Sequence, residues 1–310
     1  MEKLKKTESR RKALKSIAAG SAGLLLPEWS LAFNEKIMKR AIPSTGEKLG
    51  MVGLGTWQTF DVGNSMTERE PLKEVLKVLT EEGGSLIDSS PMYGSSEKVV
   101  GDLTRELGIK DEIFEATKVW TSGESNGKSQ MRSSMEKMQA NPMDLMQIHN
   151  LQDWKTHLKT LYAWKEQGLI RYIGITHYVD SAHGELERII KSENIDFVQM
   201  NYSINDRNAE RSLLSTALEN KVAVLTNRPY GGGILFRKTR GKELPEWTSE
   251  FDCKSWGQFF LKYLLGNPAV TCVIPGTSKP HHMKDNMGAG YGRLPDARQR
   301  EKMVSYLKSL

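Results

Sequence analysis

The sequence predicts a single (β/α)8 barrel. Three observations carry this reading: eight short β-rich runs that end in glycine, polar or charged residues, stretches of helical periodicity between them, and no Gly/Pro/Ser-rich linker in mid-chain. The chain has 310 residues, more than the ~150 of a typical domain and enough for one barrel of ~250 residues with additions. Apolar residues make up 38% and aromatic residues 8%, which supplies a packed core and argues against disorder. Two doubly wound domains are the competing architecture, but no G-x-G-x-x-G follows an early strand to mark a dinucleotide-binding half.

The first element is a basic head carrying Lys3, Lys5, Lys6, Arg10, Arg11, Lys12 and Lys15. It accounts for most of the net charge of +6, because outside residues 1–32 the balance is only +2. Phosphate binding needs clustered cations, and no basic stripe occurs elsewhere, so a nucleic-acid partner is not expected. An apolar run of small residues follows from Ser16 to Leu26, then Pro27 and Ser30-Leu31-Ala32, whose small side chains suit cleavage after Ala32. At 11 residues this run falls short of the ~20 that span a bilayer, so no permanent membrane span is expected. The segment Ser9-Arg10-Arg11-Lys12-Ala13-Leu14-Lys15 resembles the twin-arginine signal, with Ala13 where Phe is usual. Residues 1–32 are therefore expected to be a signal peptide read by the twin-arginine export machinery, and residues 33–310 an exported, periplasmic barrel; without a working signal the chain would be cytoplasmic.

The barrel elements follow in order. A segment from Glu35 to Gly50 is expected to form a hairpin under the barrel floor. Strands are expected at Met51–Thr56, Ser85–Ser89, Ile113–Lys118, Asp144–His149, Tyr172–Thr176, Phe197–Tyr202, Val222–Asn227 and Cys272–Pro275. Helical patterns fall at Leu72–Glu82, Lys98–Leu107, Gln130–Met138, Trp154–Gln167, Gly184–Lys191, Ala209–Glu219 and Ser255–Leu265, and a terminal helix covers Asp296–Leu310. The two cysteines, Cys253 and Cys272, exclude a disulfide scaffold or a cysteine-built zinc site and read as buried thiols; no metal site is expected.

In a barrel of this kind chemistry sits at the C-terminal ends of the strands, which directs attention to polar residues that close apolar runs. Asp88 ends SLID, Tyr93 lies five residues on, Lys118 ends IFEATK and His149 ends DLMQIH. Alone, each has an ordinary role: a helix cap, a core ring, a rim cation, a satisfied histidine. Together they form a set. A carbonyl reduced by hydride gains negative charge on oxygen and needs a proton donor, and a phenol of pKa ~10 serves poorly near neutrality unless a cation favours phenolate. Lys118 is that cation, Asp88 its counter-ion, and His149 a hydrogen-bonding partner for the carbonyl oxygen.

The segments GLGTWQ (Gly53–Gln58), LIDSSPMYGSSEKVVG (Leu86–Gly101), ATKVW (Ala116–Trp120) and LMQIHN (Leu145–Asn150) resemble, in this order, the aldo-keto reductase family. The likeness spans about residues 50 to 290. It implies a (β/α)8 barrel that uses NADP(H) or NAD(H) on aldehydes, ketones or sugars, with Tyr93 as general acid, Asp88 and Lys118 tuning it, and His149 positioning substrate. The nicotinamide amide is usually held by a Ser-Asn pair, where this chain has Thr176 and His177. The resemblance further places Gln199, Arg228 and Gly231 near the cofactor, and Gly276, Thr277, Lys279, His282, Asp285 and Asn286 in the segment that grips the adenosine phosphate. His282 falls where NADPH-preferring relatives often carry Arg. Trp57, Trp120 and Tyr178 are expected at the substrate mouth. The alternative to an oxidoreductase is a barrel without turnover, either cofactor-sensing or sugar-binding; neither needs all four polar strand-end residues.

Overall fold

The computed structural model describes residues 37–310, so the expected signal segment lies outside the described residues. Strands β1 (Lys39–Ala41) and β2 (Lys48–Gly50) form an antiparallel hairpin. Strands β3 (Leu54–Gly55), β4 (Leu86–Asp88), β5 (Phe114–Val119), β6 (Met143–His149), β7 (Ile170–Thr176), β8 (Phe197–Asn201), β9 (Ala223–Asn227) and β10 (Val270–Val273) form one parallel sheet in sequential order. Parallel bridges from Val52 to Val273 and from Gly55 to Gly276 join the first of these strands to the last. The sheet is closed into an eight-stranded barrel.

Helices alternate with these strands: α1 (Met66–Glu81), α2 (Ser96–Glu106), α3 (Glu124–Met138), α4 (Trp154–Glu166), α5 (His183–Ser192), α6 (Leu213–Glu219), α7 (Ile234–Lys238), α8 (Trp256–Leu265), α9 (Pro280–Gly288) and α10 (Ala297–Ser309). Several boundaries differ from expectation for local reasons; α3, for one, begins at Glu124, six residues before the expected Gln130, because residues 124–129 hold no apolar side chain for periodicity to reveal. Helix α1 begins six residues before Leu72 and carries Pro71 inside it, a residue that removes one helical N–H but does not prevent the turn. The stretch expected to start helically at Ala209 begins instead as a short 3-10 turn, Asn208–Glu210, with α6 starting at Leu213. Helices α7 and α9, absent from the expectation, are too short or too polar for periodicity to reveal. Helix α10 starts as expected, because Asp296 accepts from the Gln299 amide and the Gln299 side chain returns a bond to the Asp296 N–H.

Two cores lie on the two faces of the sheet, and the period of two along each strand sorts side chains between them. The outer face packs Val99, Met131, Leu161, Ile189 and Phe260 of the helices against residues such as Ile87, Ile148 and Val198. The inner face is most strongly apolar near the strand starts, where Leu86, Phe114, Leu145, Tyr172 and Phe197 cluster with Ile42 and Leu49 of the hairpin. The Phe114, Tyr172 and Phe197 rings sit 5.5–6.0 Å apart. The hairpin is thus a plug for the barrel floor, as its position before the first strand suggested. Arg40 fastens it by donating to the carbonyls of Leu265, Asn267 and Val270, from the last residue of α8 to the first of β10. Further along the same strands the inner face becomes polar, with Asp88, Lys118, Gln147, Gln199 and Asn201 all buried. Chemistry is therefore confined to the opposite end from the plug. Cys253 and Cys272 are both buried free thiols. Among the described residues, no helix is long and apolar enough to cross a membrane and no group of three or more His, Cys, Asp or Glu is placed to hold a metal ion.

Candidate active site

Asp88 and Lys118 come from adjacent strands, and their side chains meet inside the barrel at 2.6 Å. Lys118 has no exposed surface and also donates to the Ser89 carbonyl at 2.7 Å. Asp88 Oδ1 accepts from Gln147 Nε2 at 2.8 Å and from Gln199 Nε2 at 2.9 Å, so both carboxylate oxygens are occupied. A buried ion pair is tolerable only when its remaining hydrogen-bonding capacity is filled, and here two amides fill it. Burial opposes the Lys118 ammonium, but the Asp88 carboxylate and then Tyr93 outweigh it, and its pKa is raised.

Gln147 can lie across the barrel because position 174 on the next strand is glycine. A Cβ there would stand 2.7 Å from Gln147 Cγ. Asn227 Nδ2 extends the network to Gln199 Oε1 at 3.3 Å, and the Thr176 hydroxyl reaches the same oxygen at 3.4 Å.

Tyr93 stands in the loop after β4, with the Lys118 ammonium 5.0 Å from its ring centroid. The loop is held from outside by Asp61, whose Oδ1 accepts from both the N–H and the hydroxyl of Ser95. Gly94, between them, adopts φ +60°, and a Cβ there would collide with the Asp61 carboxylate. The sequence expectation was that Lys118 favours phenolate. The structure changes the balance: burial is the larger effect, Lys118 opposes it and Asp88 offsets Lys118, so the Tyr93 pKa is raised and the phenol holds its proton through the neutral range.

His149 ends β6 and presents its ring 5.8 Å from that of Tyr93, edge to face. Its Nδ1 lies 3.0 Å from the Ser90 hydroxyl. Burial, followed by the charges of Lys118 and His177, pushes its pKa down to about 3, so the ring is neutral. All four residues therefore converge, two from strand ends, one from inside β5 and one from a loop.

The expected mouth aromatics are exposed. Trp120 lies 6.4 Å from the His149 ring, and its backbone exchanges two hydrogen bonds with the Gln130 side chain. Tyr178 stacks on His177 at 5.6 Å with the Arg228 guanidinium 5.9 Å from its centroid. Trp57 stands on the loop after β3, 55% exposed. His177 uses Nδ1 to accept from the Tyr178 and Val179 amides, a bracing role in the position where the resemblance leads one to expect a carboxamide.

The remaining expected residues surround the same mouth on the side of β8, β9 and β10. Gln199 and Thr176 are buried at the barrel top. Arg228 is exposed and precedes Gly231, Gly232 and Gly233, three successive residues at φ +58° to +86° that no L side chain would readily adopt. Gly276, Lys279 and His282 are exposed, and Thr277 is buried with its hydroxyl accepting from the Lys279 amide at the start of α9. Asp285 and Asn286 serve as braces: the former accepts from Ser255 and Gln258 of α8, the latter from the Tyr230 hydroxyl. Gln147, Ser90 and Asp61 were not foreseen. Gln147 carried a usable signal, since it precedes His149 by two and so shares its face of the strand. Ser90 and Asp61 lie in loops, where no periodicity operates.

A cofactor of the size of a dinucleotide finds suitable groups here. Asn227 Oδ1 is buried without a hydrogen-bond partner beside Gln199, ready for an amide donor, and the glycine run leaves backbone uncovered just after Arg228, as phosphates require.

A closed parallel barrel whose C-terminal mouth holds a buried Lys–Asp pair beneath a phenol and a neutral imidazole defines the class of carbonyl-handling oxidoreductases. Residues 51–301 match the Aldo/keto reductase family. The chain belongs to that family and is an NAD(P)-dependent oxidoreductase by membership. It is similar to the methylglyoxal reductase DkgA of Yersinia pestis, 33% identical with 85% of this chain and 90% of that protein covered. It is also similar to the aldo-keto reductase YhdN of Bacillus subtilis, 27% identical over 68% of this chain and 66% of that protein. Its fold matches the crystal structure of an aldo-keto reductase from Klebsiella pneumoniae in complex with NADPH. The TM-score is 0.71, with 20% identity over 88% of this chain and 95% of that one.

Proposed function

We propose that the protein transfers a hydride between a nicotinamide cofactor and an aldehyde, ketone or sugar carbonyl, with Tyr93 as the general acid and base. The observation that carries this reading is the fully buried Lys118–Asp88 pair directly beneath Tyr93 and beside His149. A bound nicotinamide supplies the hydride, or accepts it in the reverse direction. As the carbonyl oxygen gains charge, the Tyr93 hydroxyl gives up its proton to it, and the adjacent ammonium of Lys118 stabilises the phenolate left behind. Asp88, held by Gln147 and Gln199, keeps Lys118 charged and in place. His149, neutral, hydrogen-bonds the oxygen and fixes its direction without competing as an acid.

Thr176, His177 and Gln199 are the proposed partners of the nicotinamide amide, with Asn227 added by its unpaired oxygen. Arg228 and Gly231 are proposed at the diphosphate, and Gly276, Thr277, Lys279 and His282 at the adenosine phosphate, with Asp285 and Asn286 holding that segment in shape. The NADPH complex of the Klebsiella pneumoniae protein supports a phosphorylated cofactor. Trp57, Trp120 and Tyr178 are proposed as the substrate walls. The test is consumption of NADPH and of NADH against a small dicarbonyl, an aromatic aldehyde and an aldose. Turnover of at least one that is lost in His149→Ala supports the reading, and cofactor binding without any turnover would favour a sensing barrel.

Residues 1–32 are proposed as a twin-arginine export signal, on the strength of Arg10-Arg11 followed by the apolar run and Ser30-Leu31-Ala32. Because that route carries folded proteins, cofactor bound before export would travel with the barrel and permit internally balanced redox cycles. The double variant Arg10→Lys, Arg11→Lys is expected to retain the protein in the cytoplasm; unchanged distribution on cell fractionation would refute the signal.

A further inference from the structure

We propose that Ser90 is a positioning residue that determines which ring nitrogen of His149 bears the proton. Ser90 is wholly buried, and its hydroxyl lies 3.0 Å from His149 Nδ1. The Met92 amide donates to Ser90 Oγ at 3.4 Å, and among the described residues His149 Nδ1 is the single acceptor within hydrogen-bond reach of the buried hydroxyl, so its proton turns to the imidazole. A hydroxyl can donate to Nδ1 only when Nδ1 is unprotonated, which leaves the proton of the neutral ring on Nε2. Burial and the Lys118 charge keep the ring neutral, so there is one proton to place.

The same serine also holds the acid. Its carbonyl accepts from the Tyr93 amide at 3.0 Å, so the backbone of Ser90 fixes the start of the phenol's turn while its side chain fixes the imidazole. Proton placement on His149 and the seating of Tyr93 are thus set by one residue in the loop after β4. With the proton on Nε2, His149 offers an N–H to a carbonyl oxygen; with it on Nδ1, it offers a lone pair that repels that oxygen. The functional weight of this assignment rests on the carbonyl-transfer reading, but the tautomer itself does not.

The experiment is a long-range 1H–15N correlation spectrum of the histidine rings in the full chain, with His149→Ala identifying the signals. The native protein is expected to show Nε2 protonated and Nδ1 bare. In Ser90→Ala the two nitrogen shifts should converge as both tautomers become populated. Turnover should fall about fivefold to tenfold, the scale of one hydrogen bond, with cofactor affinity unchanged. Ser90→Thr, which keeps the hydroxyl, is expected to restore both. An unaltered tautomer in Ser90→Ala, or Nδ1 protonated in the native protein, overturns the proposal whatever the rates. Loss of turnover in Ser90→Ala with the native tautomer would assign Ser90 to packing alone. A tautomer shift in a chain that turns over no carbonyl would instead sink the oxidoreductase reading and leave the Ser90 assignment standing.

Discussion

Tyr93→Phe is expected to lower turnover about a thousandfold while leaving cofactor affinity nearly unchanged, because the lost hydroxyl acts on the oxygen only as charge develops there. Phenylalanine keeps the ring that packs against Lys118 and His149, so folding should be little affected. A companion result concerns pH. Burial raises the Tyr93 pKa above that of an ordinary phenol, so the proton donor is present across the neutral range. Reduction should therefore run flat from pH 6 upward and decline only as the phenol ionises on the alkaline side; oxidation of an alcohol, which needs the phenolate, should rise there instead. Steady-state kcat in both directions from pH 6 to 10 measures this. A reduction rate that falls between pH 6 and 8 would show that another group supplies the proton.

Lys118→Met is expected to lower stability by about 3–5 kcal/mol, the cost of leaving Asp88 charged and buried without its partner. Lys118 is fully enclosed and makes two hydrogen bonds of 2.6 and 2.7 Å, so water cannot easily replace it. Turnover should fall as well, since nothing then stabilises the phenolate. The double variant Lys118→Met, Asp88→Asn separates the effects: removing the stranded charge should recover most of the stability and none of the turnover. Urea unfolding of the three proteins, with rates measured on the same preparations, decides it. If the single variant is as stable as the native chain, the pair is not buried as described.

The barrel was legible because its strands are short apolar runs with abrupt polar ends, and because β4 to β6 each finish on or near a side chain with no reason to be inside except chemistry. Asp88, Lys118 and His149 were found by that logic, and the structure brings them together with Tyr93. The electrostatic balance was not legible. The expectation took Asp88 only as the counter-ion of Lys118 and omitted the burial of the phenol, the largest effect, which together with the Asp88 charge reverses the direction. Loop contacts were equally hidden: the bonds from Asp61 to Ser95 and from Ser90 to His149 depend on the spatial approach of segments that carry no repeating pattern. Cofactor positions were read from resemblance, and the structure gives several of them a mechanical duty, with Asp285 and Asn286 tying α9 to α8 and to Tyr230.

The seam where β3 meets β10 has a consequence for biosynthesis. Gly53 and Gly55 bond to Val273 and Pro275, so the first barrel strand waits for the last before the ring can shut. A ribosome must release nearly the entire polypeptide before that happens, and the partly assembled sheet meanwhile offers two raw borders to other chains. Such a molecule gains from closing its ring soon after release, before either border meets a second copy.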